Sequence, residues 1–159
     1  MIKNKIWTPQ PKQRLMLSRG EDEGFYGGAA GGGKSDYLVI EAVRQVKVPN
    51  YRGLILRKTV PELEQLIERA RYYYTQLCAD VKFNDTKHTF TFPSGAKVQF
   101  GSLFRTQDKF KYQGLQYDFI GFDELTQFTF DEYSYLKSRN RASGPGTRVY
   151  VRATGNPGG

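Results

Sequence analysis

The 159-residue chain is poor in cysteine and histidine, with Cys78 and His88 as the single members of their types. One cysteine cannot close an intrachain disulfide or build a thiolate metal cluster. One histidine gives little support to a histidine-rich zinc site or to a catalytic triad that needs further histidines. The uncharged stretches are far shorter than the ~20 apolar residues of a membrane span, and a basic-then-apolar leader is lacking. We therefore expect neither a secreted protein nor a membrane protein.

Basic residues outnumber acidic residues, 24 against 16, which gives a formal net charge of +8. The excess is spread evenly along the chain, so no basic tail stands out. The apolar fraction of 38% is sufficient for one hydrophobic core and excludes a disordered or collagen-like chain. The charge is typical either of a solvated basic surface or of a protein that binds a polyanion, nucleotide or nucleic acid.

The hydrophobic pattern predicts helices and strands that largely alternate along the chain. Apolar runs predict strands at 25–27, 53–57, 117–122 and 148–153, and helical periodicity predicts helices at 34–49, 61–78 and 130–136. Alternating residues on both sides of a Pro-Ser-Gly turn predict a β-hairpin at 88–101. This order favours an α/β fold with a mostly parallel sheet, helices on its faces and a β-hairpin insertion.

The segment 28–35, GAAGGGKS, matches the phosphate-binding pattern G-x4-G-K-[ST] between a predicted strand and a predicted helix. Small residues let backbone N–H groups surround a phosphate, and the amino end of the next helix adds positive potential. Lys34 would reach the β- and γ-phosphates, and the Ser35 hydroxyl would bind Mg²⁺. Upstream, Gln13 would bond the adenine edge, or else belongs to a solvated turn. The predicted ATP-binding residues are Gln13, Gly28, Ala29, Ala30, Gly31, Gly32, Gly33, Lys34, Ser35 and Asp36.

An acidic pair, Asp123-Glu124, follows the apolar run 119–122. Acids often end strands, but after a phosphate-binding loop this pair predicts that Asp123 supports Mg²⁺ together with Ser35, and that Glu124 polarises the attacking water. A glutamate at this place indicates the additional-strand, catalytic-glutamate (RecA-like) class of P-loop NTPases. In that class a further strand lies between the strand that precedes the phosphate-binding loop and the strand that ends in the acidic pair. Here we expect 148–153 to be that further strand.

Two weaker signals come from polar residues near the carboxyl end. Thr154, Gly155 and Asn156 follow the last predicted strand and would touch the γ-phosphate or the attacking water, or else form an ordinary turn. Arg139 and Arg141 follow the helix predicted at 130–136. Either guanidinium could stabilise a transferring phosphoryl group in a neighbouring subunit, or could lie on the surface or against DNA.

Several motifs together carry a family resemblance. They are the residues Thr8-Pro9 and Gln13, GGAAGGGKS at 27–35, LILRKT at 54–59, KYQG at 111–114, YDFIGFDE at 117–124, LKSRNR at 136–141 and TGNPGG at 154–159. The combination, which spans nearly the whole chain, resembles the N-terminal ATPase domain of a tailed-bacteriophage terminase large subunit. The phosphate-binding loop alone is generic, whereas the combination is much more specific.

The resemblance implies a Mg²⁺-dependent ATPase that drives double-stranded DNA into a procapsid. It implies a portal protein and a small terminase subunit as partners, a homo-oligomeric ring at the portal, a monomer in isolation, and a location in the host cytoplasm at the procapsid portal, with no membrane. It also gives Thr154 to Asn156 a coupling role and Arg57 a phosphate-sensing role. The catalytic residues implied are Lys34, Glu124, Arg139 and Arg141, and the metal-binding residues are Ser35 and Asp123.

Residues 1–159 are predicted to form one P-loop ATPase domain that belongs to a longer protein. Terminases of this kind carry their nuclease in a separate C-terminal domain, which we expect to lie outside residues 1–159. We therefore expect no nuclease activity from this chain. We also expect an uncovered sheet edge or apolar patch near its carboxyl end, where the rest of the protein would pack. Two rival functions stay open at this level. A helicase-like ATPase would bring a second RecA-type core, whereas a silent nucleotide-binding module would be favoured by the loss of Lys34 or Glu124.

Overall fold

A computed structural model describes residues 7–28 and 33–156. These residues contain four α-helices, namely α1 (Pro11–Leu17), α2 (Lys34–Glu41), α3 (Val60–Leu77) and α4 (Phe130–Lys137). Their strands are β1 (Glu23–Gly27), β2 (Arg52–Arg57), β3 (Lys82–Asn84), β4 (Thr89–Thr91), β5 (Lys97–Ser102), β6 (Phe119–Phe122) and β7 (Tyr150–Gly155). Two 3₁₀ helices cover Thr106–Tyr112 and Leu125–Gln127. In the described part of the chain, no helix is both long enough and apolar enough to cross a membrane.

All seven strands form one sheet in the order β1-β7-β6-β2-β5-β4-β3. Neighbouring strands pair in parallel along β1, β7, β6, β2 and β5. The pairs β5–β4 and β4–β3 are antiparallel. The predicted α/β class is confirmed, and so is the hairpin. The last strand, β7, lies between β1 and β6, which is the arrangement expected of the additional-strand class. β3 adds an unpredicted edge strand to the hairpin, and β1 forms the opposite edge.

Two hydrophobic cores cover the two faces of the sheet. Alternate residues of β2 point to opposite sides, so that Ile55 joins the core beneath α2 and α3, while Leu54 and Leu56 join the core beneath α4. Leu38 and Leu136, one from each helical layer, are fully buried. Burial on both faces explains why the central strands read as continuous apolar runs in the sequence.

The helix predicted from Lys34 to Pro49 is too long, because α2 ends at Glu41. Residues 42–48 continue as turns with i→i+3 hydrogen bonds, such as Val43 N to Ile40 O at 3.1 Å. The β-branched side chains in this stretch lower its helix propensity. In addition, the buried Tyr51 hydroxyl donates to the Ala42 carbonyl oxygen at 2.5 Å and holds the turn against the core.

The fully buried Asp118, just before β6, joins three parts of the chain. Its carboxylate accepts hydrogen bonds from Arg52 N at 2.8 Å, Ser143 N at 3.0 Å and Thr147 Oγ1 at 2.6 Å. Asp118→Asn replaces one acceptor oxygen by a donor, so we expect the free energy of unfolding in urea to fall by about 2 kcal/mol. The control Thr147→Val removes one bond and should cost about 1 kcal/mol. Equal unfolding midpoints for the wild type and Asp118→Asn would contradict this role.

Candidate nucleotide-binding site

The carboxyl ends of β1, β7, β6 and β2 meet at one edge of the sheet, beside the amino end of α2. A cavity of about 460 Å³ opens there, and Lys34, Arg57 and Glu124 contribute to its lining. In open α/β sheets, ligands bind at the carboxyl ends of the strands. The cavity therefore lies where the fold predicts a ligand.

The phosphate-binding loop ends at Gly33, which adopts a left-handed conformation (φ 74°) as the N-cap of α2. Glycine adopts this conformation without the steric cost that a Cβ atom would bring. The buried Lys34 ammonium donates to the Gly28 carbonyl oxygen at 2.8 Å, across the base of the loop. Four of the predicted loop residues, Ala29, Ala30, Gly31 and Gly32, lie outside the described residues.

Asp123 is the point at which the predicted metal residues converge. Its buried carboxylate accepts hydrogen bonds from Ser35 Oγ at 3.3 Å and from Thr154 Oγ1 at 2.7 Å. Ser35 belongs to α2 and Thr154 to β7, so helix and strand are joined through the end of β6. Carboxylate and hydroxyl oxygens are ligands that suit Mg²⁺, and these residues therefore fit the predicted ion.

Glu124 has a left-handed backbone (φ 60°, ψ 61°), which is uncommon for a residue with a side chain. Its amide donates to Thr154 Oγ1 at 3.3 Å, so the Thr154 hydroxyl contacts both members of the acidic pair. The Glu124 side chain is half-buried and lines the cavity. Local strain of this kind costs about 1–3 kcal/mol and is concentrated at functional sites.

The end of β7 lies directly beside the phosphate-binding loop. Gly28 N donates to the Gly155 carbonyl oxygen at 3.1 Å, next to the pairing of Gly27 with Gly155. Asn156 follows and is half-buried. The residues predicted to couple hydrolysis to movement thus contact both the loop and the acidic pair, and the coupling itself stays a prediction.

Arg57, at the end of β2, forms ion pairs with Asp123 and Glu62. Burial alone would lower the pKa of Arg57, but the two carboxylates raise it above its ordinary value, so the guanidinium is charged. Glu62 has a lowered pKa, because Thr59 and Arg57 hydrogen-bond to its carboxylate. In the sequence Glu62 is evident only as an acid near the start of a helix, a signal that could have been read as a partner for Arg57.

Gln13 is buried, and both ends of its amide are hydrogen-bonded. Nε2 donates to the Gly33 carbonyl oxygen at 2.8 Å, and Oε1 accepts from Gln10 N at 2.7 Å. The side chain therefore braces the end of the phosphate-binding loop rather than lying in a solvated turn. Its contact with adenine stays a prediction.

The carboxylate of Asp36 is directed to α3. It forms an ion pair with Arg69 and accepts a hydrogen bond from Tyr73 OH at 3.1 Å. Asp36 also lines the cavity, and its contact with ATP stays a prediction. In this structure its bonds tie α2 to α3.

Arg139 and Arg141 lie at the opposite end of β6 from Asp123. Tyr117 N donates to the Arg139 carbonyl oxygen at 2.9 Å, and Arg141 N donates to the Tyr117 carbonyl oxygen at 3.0 Å. The fold thus separates both arginines from the nucleotide cavity of their own chain. Their predicted action in a neighbouring subunit stays untested.

The parallel sheet, the glycine-rich loop before α2 and the acidic pair at the end of β6 define a P-loop NTPase fold. The chain belongs to the terminase large subunit family, T4likevirus-type, N-terminal, whose family model matches residues 25–158. No curated protein matches the chain.

Solved structures share this fold at low sequence identity. The large terminase ATPase domain of Thermus phage P74-26 aligns over 95% of this chain and 66% of that domain, with 16% identity and a TM-score of 0.75. The N-terminal domain of the DNA packaging ATPase from bacteriophage phi29 aligns over 94% and 82%, with 20% identity and a TM-score of 0.61. The large terminase of a thermophilic bacteriophage, solved in complex with ADP, aligns over 92% and 38%, with 15% identity and a TM-score of 0.59. The chain therefore spans about two thirds of the P74-26 domain and 38% of the ADP-bound terminase.

Proposed function

We propose that this domain hydrolyses ATP to ADP and phosphate with Mg²⁺, and that hydrolysis drives double-stranded DNA into a procapsid. The observation that carries the proposal is the convergence on Asp123 of Ser35 from α2 and Thr154 from β7, beside Glu124. Membership of the terminase family supports the packaging role. The large terminase solved with ADP supports a nucleotide as the ligand of the corresponding fold.

The roles of the residues follow from their charges and positions. Lys34 and the amino end of α2 bind the phosphates, since both present positive potential to the loop. Ser35 and Asp123 would hold Mg²⁺, which when bound neutralises charge on the β- and γ-phosphates. Glu124 orients the attacking water and accepts its proton.

Arg57 and Thr154 connect this chemistry to the rest of the domain. Arg57 forms ion pairs with both Asp123 and Glu62, and Glu62 lies in the first turn of α3. A change of charge at Asp123 would therefore alter the ion pair that connects Arg57 to α3. Thr154 joins the acidic pair to β7 and, through Gly155, to the phosphate-binding loop. These contacts suit a domain that converts hydrolysis into movement.

The assembly that we propose is a homo-oligomeric ring at the portal in the infected host's cytoplasm, with the portal protein and the small terminase subunit as partners. Arg139 or Arg141 would then complete the site of the adjacent subunit, because neither reaches the site of its own chain. A monomer in isolation would turn over slowly for the same reason.

The proposal is tested by nucleotide binding and phosphate release, with and without double-stranded DNA. Lys34→Ala removes a charged contact to phosphate, so we expect its dissociation constant for Mg·ATP to rise about 30-fold. The matched control Lys47→Ala, an exposed lysine after α2, should bind like the wild type. A wild type that releases no phosphate, either alone or assembled on procapsids, would refute the motor function.

A further inference from the structure

One face of the hairpin half of the sheet is polar. The register of β3, β4 and β5 places Lys82 and Asn84, Thr89 and Thr91, and Lys97 and Gln99 on this face. Phe83, Phe90 and Val98 alternate with them and point to the core on the other face. A groove of about 720 Å³ runs over the polar face and is bordered on one side by the 3₁₀ helix Thr106–Tyr112.

The groove is strongly basic. Its charged lining residues are Arg52, Lys87, Lys97 and Lys111, its lining also includes His88, and it contains no acidic residue among those described. None of the four cations forms an ion pair with a described carboxylate. The exposed Asp85, in the turn between β3 and β4, lies outside the lining. Asp108, in the bordering 3₁₀ helix but outside the lining, interacts electrostatically with Lys111, so the protein neutralises the positive potential of the groove only in part.

Contacts with the protein hold two of the cations in place. Arg52 donates to the carbonyl oxygens of Tyr51 at 2.8 Å and Gly95 at 3.2 Å, and Lys97 donates to Thr91 Oγ1 at 3.1 Å. These partners are uncharged, so each side chain is positioned and keeps its full charge for a ligand.

The spread of the charges selects a polyanion rather than a single phosphate. Thr91 pairs with Lys97 and Thr89 with Gln99, and Phe100 N bonds to the His88 carbonyl oxygen. By this register Lys87 lies about four residues along the sheet from Lys97, roughly 13 Å away. One phosphate group cannot bridge that distance, whereas the regularly charged backbone of a nucleic acid can.

The lining also suits contact that is independent of base sequence. Thr91 and Asn84 offer small hydrogen-bond donors of the kind that contact phosphate oxygens, because their bonds within the protein are accepted by Thr91 Oγ1 and Asn84 Oδ1. The phenylalanine and tyrosine residues of the groove, Phe100, Tyr112 and Tyr117, are buried, and the Tyr117 hydroxyl donates to Gln99 Oε1 at 2.8 Å. They are therefore not available to stack on bases.

We propose that this groove binds the phosphate backbone of double-stranded DNA, at a surface separate from the nucleotide cavity. The choice of DNA as the polyanion rests on the proposed function, whereas the position of the surface rests on the groove itself. The strand β2 connects the two places, because Arg52 at its start lines the groove and Arg57 at its end contacts Asp123. DNA in the groove would thus touch a strand that also forms the nucleotide site.

The test is the salt dependence of DNA binding by the full chain, measured by fluorescence anisotropy with a 5′-labelled duplex of mixed sequence. For the double variant Lys87→Ala/Lys97→Ala we expect about tenfold weaker binding at low salt. We also expect the slope of log K against log [NaCl] to be shallower by about 1.8, because two phosphate contacts are lost. The matched control is Arg14→Ala/Lys47→Ala, which removes the same charge from exposed positions near α1 and α2. Its slope should stay within about 0.4 of the wild type.

A single variant at an exposed position, Lys111→Gln, keeps the test independent of the folding of the hairpin, and its slope should fall by about 0.9. Equal slopes for the groove and control variants would place the DNA contacts elsewhere and overturn the groove, while Mg·ATP hydrolysis would still stand as evidence for the motor. A wild type that binds no DNA overturns the groove as a DNA site. Loss of polyglutamate binding with unchanged DNA binding would assign the groove to an acidic protein and likewise overturn the proposal.

Discussion

Glu124→Gln is expected to lower the turnover number for ATP by about 10³-fold and to leave the affinity for Mg·ATP within about threefold of the wild type. The glutamine side chain has nearly the same shape as glutamate. The left-handed backbone at residue 124 and the hydrogen bond from its backbone N–H to Thr154 Oγ1 are therefore kept. The amide cannot accept a proton from water, which removes only the proposed catalytic function. Phosphate release under saturating ATP measures the turnover, and a fluorescent ATP analogue measures binding.

The matched control for this prediction is Glu62→Gln, because Glu62 is a second carboxylate in the lining of the same cavity. Glu62 bonds to Arg57 and Thr59 and has no proposed contact with water, so its loss should cost less than about tenfold in turnover. If Glu124→Gln kept more than a third of the wild-type turnover, Glu124 would not be the base.

The second large effect is on stability. Arg57→Ala should lower the free energy of unfolding by about 3 kcal/mol in the absence of divalent cations, because it leaves the buried carboxylate of Asp123 without its cationic partner. For a domain of this size the loss corresponds to a decrease of about 6–12 °C in the melting temperature. Thermal unfolding in EDTA, followed by circular dichroism, measures it.

Magnesium and nucleotide provide the internal check. If Mg²⁺ binds at Asp123, it neutralises the same carboxylate that Arg57 neutralises. Saturating Mg·ADP should therefore raise the melting temperature of Arg57→Ala by more than it raises that of the wild type. Glu62→Ala, which removes the more exposed partner of Arg57, should cost only about 0.5–1 kcal/mol. An Arg57→Ala protein as stable as Glu62→Ala would show that the Arg57–Asp123 pair contributes little.

The sequence predicts well those parts of the site that short segments encode. The glycines before Lys34 predict the phosphate-binding loop, and the apolar run before Asp123 predicts the strand that ends at the acidic pair. Their convergence in the fold, with β7 between β1 and β6, agrees with the expectation for the additional-strand class. The bond from Thr154 to Asp123 is a direct consequence of that strand order, since the carboxyl ends of neighbouring parallel strands lie side by side.

Other features depend on contacts between distant parts of the chain. The sequence does not show that Gln13 bonds to Gly33, because the two residues meet only when α1 packs beside α2. It places Arg139 and Arg141 after α4, but the edge of the sheet that they reach depends on how the chain returns to the start of β6. The left-handed backbone of Glu124 likewise has no local signal, since glutamate rarely adopts it.

The sequence by itself determined the class of fold, the phosphate-binding loop and the acidic pair, because each follows from residue types at short, regular spacing. Only the tertiary structure decided which partners Asp123 has, where α2 ends and which cations share the hairpin groove. Lys87, Lys97 and Lys111 are separated along the chain, and the composition shows only an even charge of +8. The strand register and the position of the 3₁₀ helix bring these lysines to one face, because pairing across β4 and β5 sets which side chains point together.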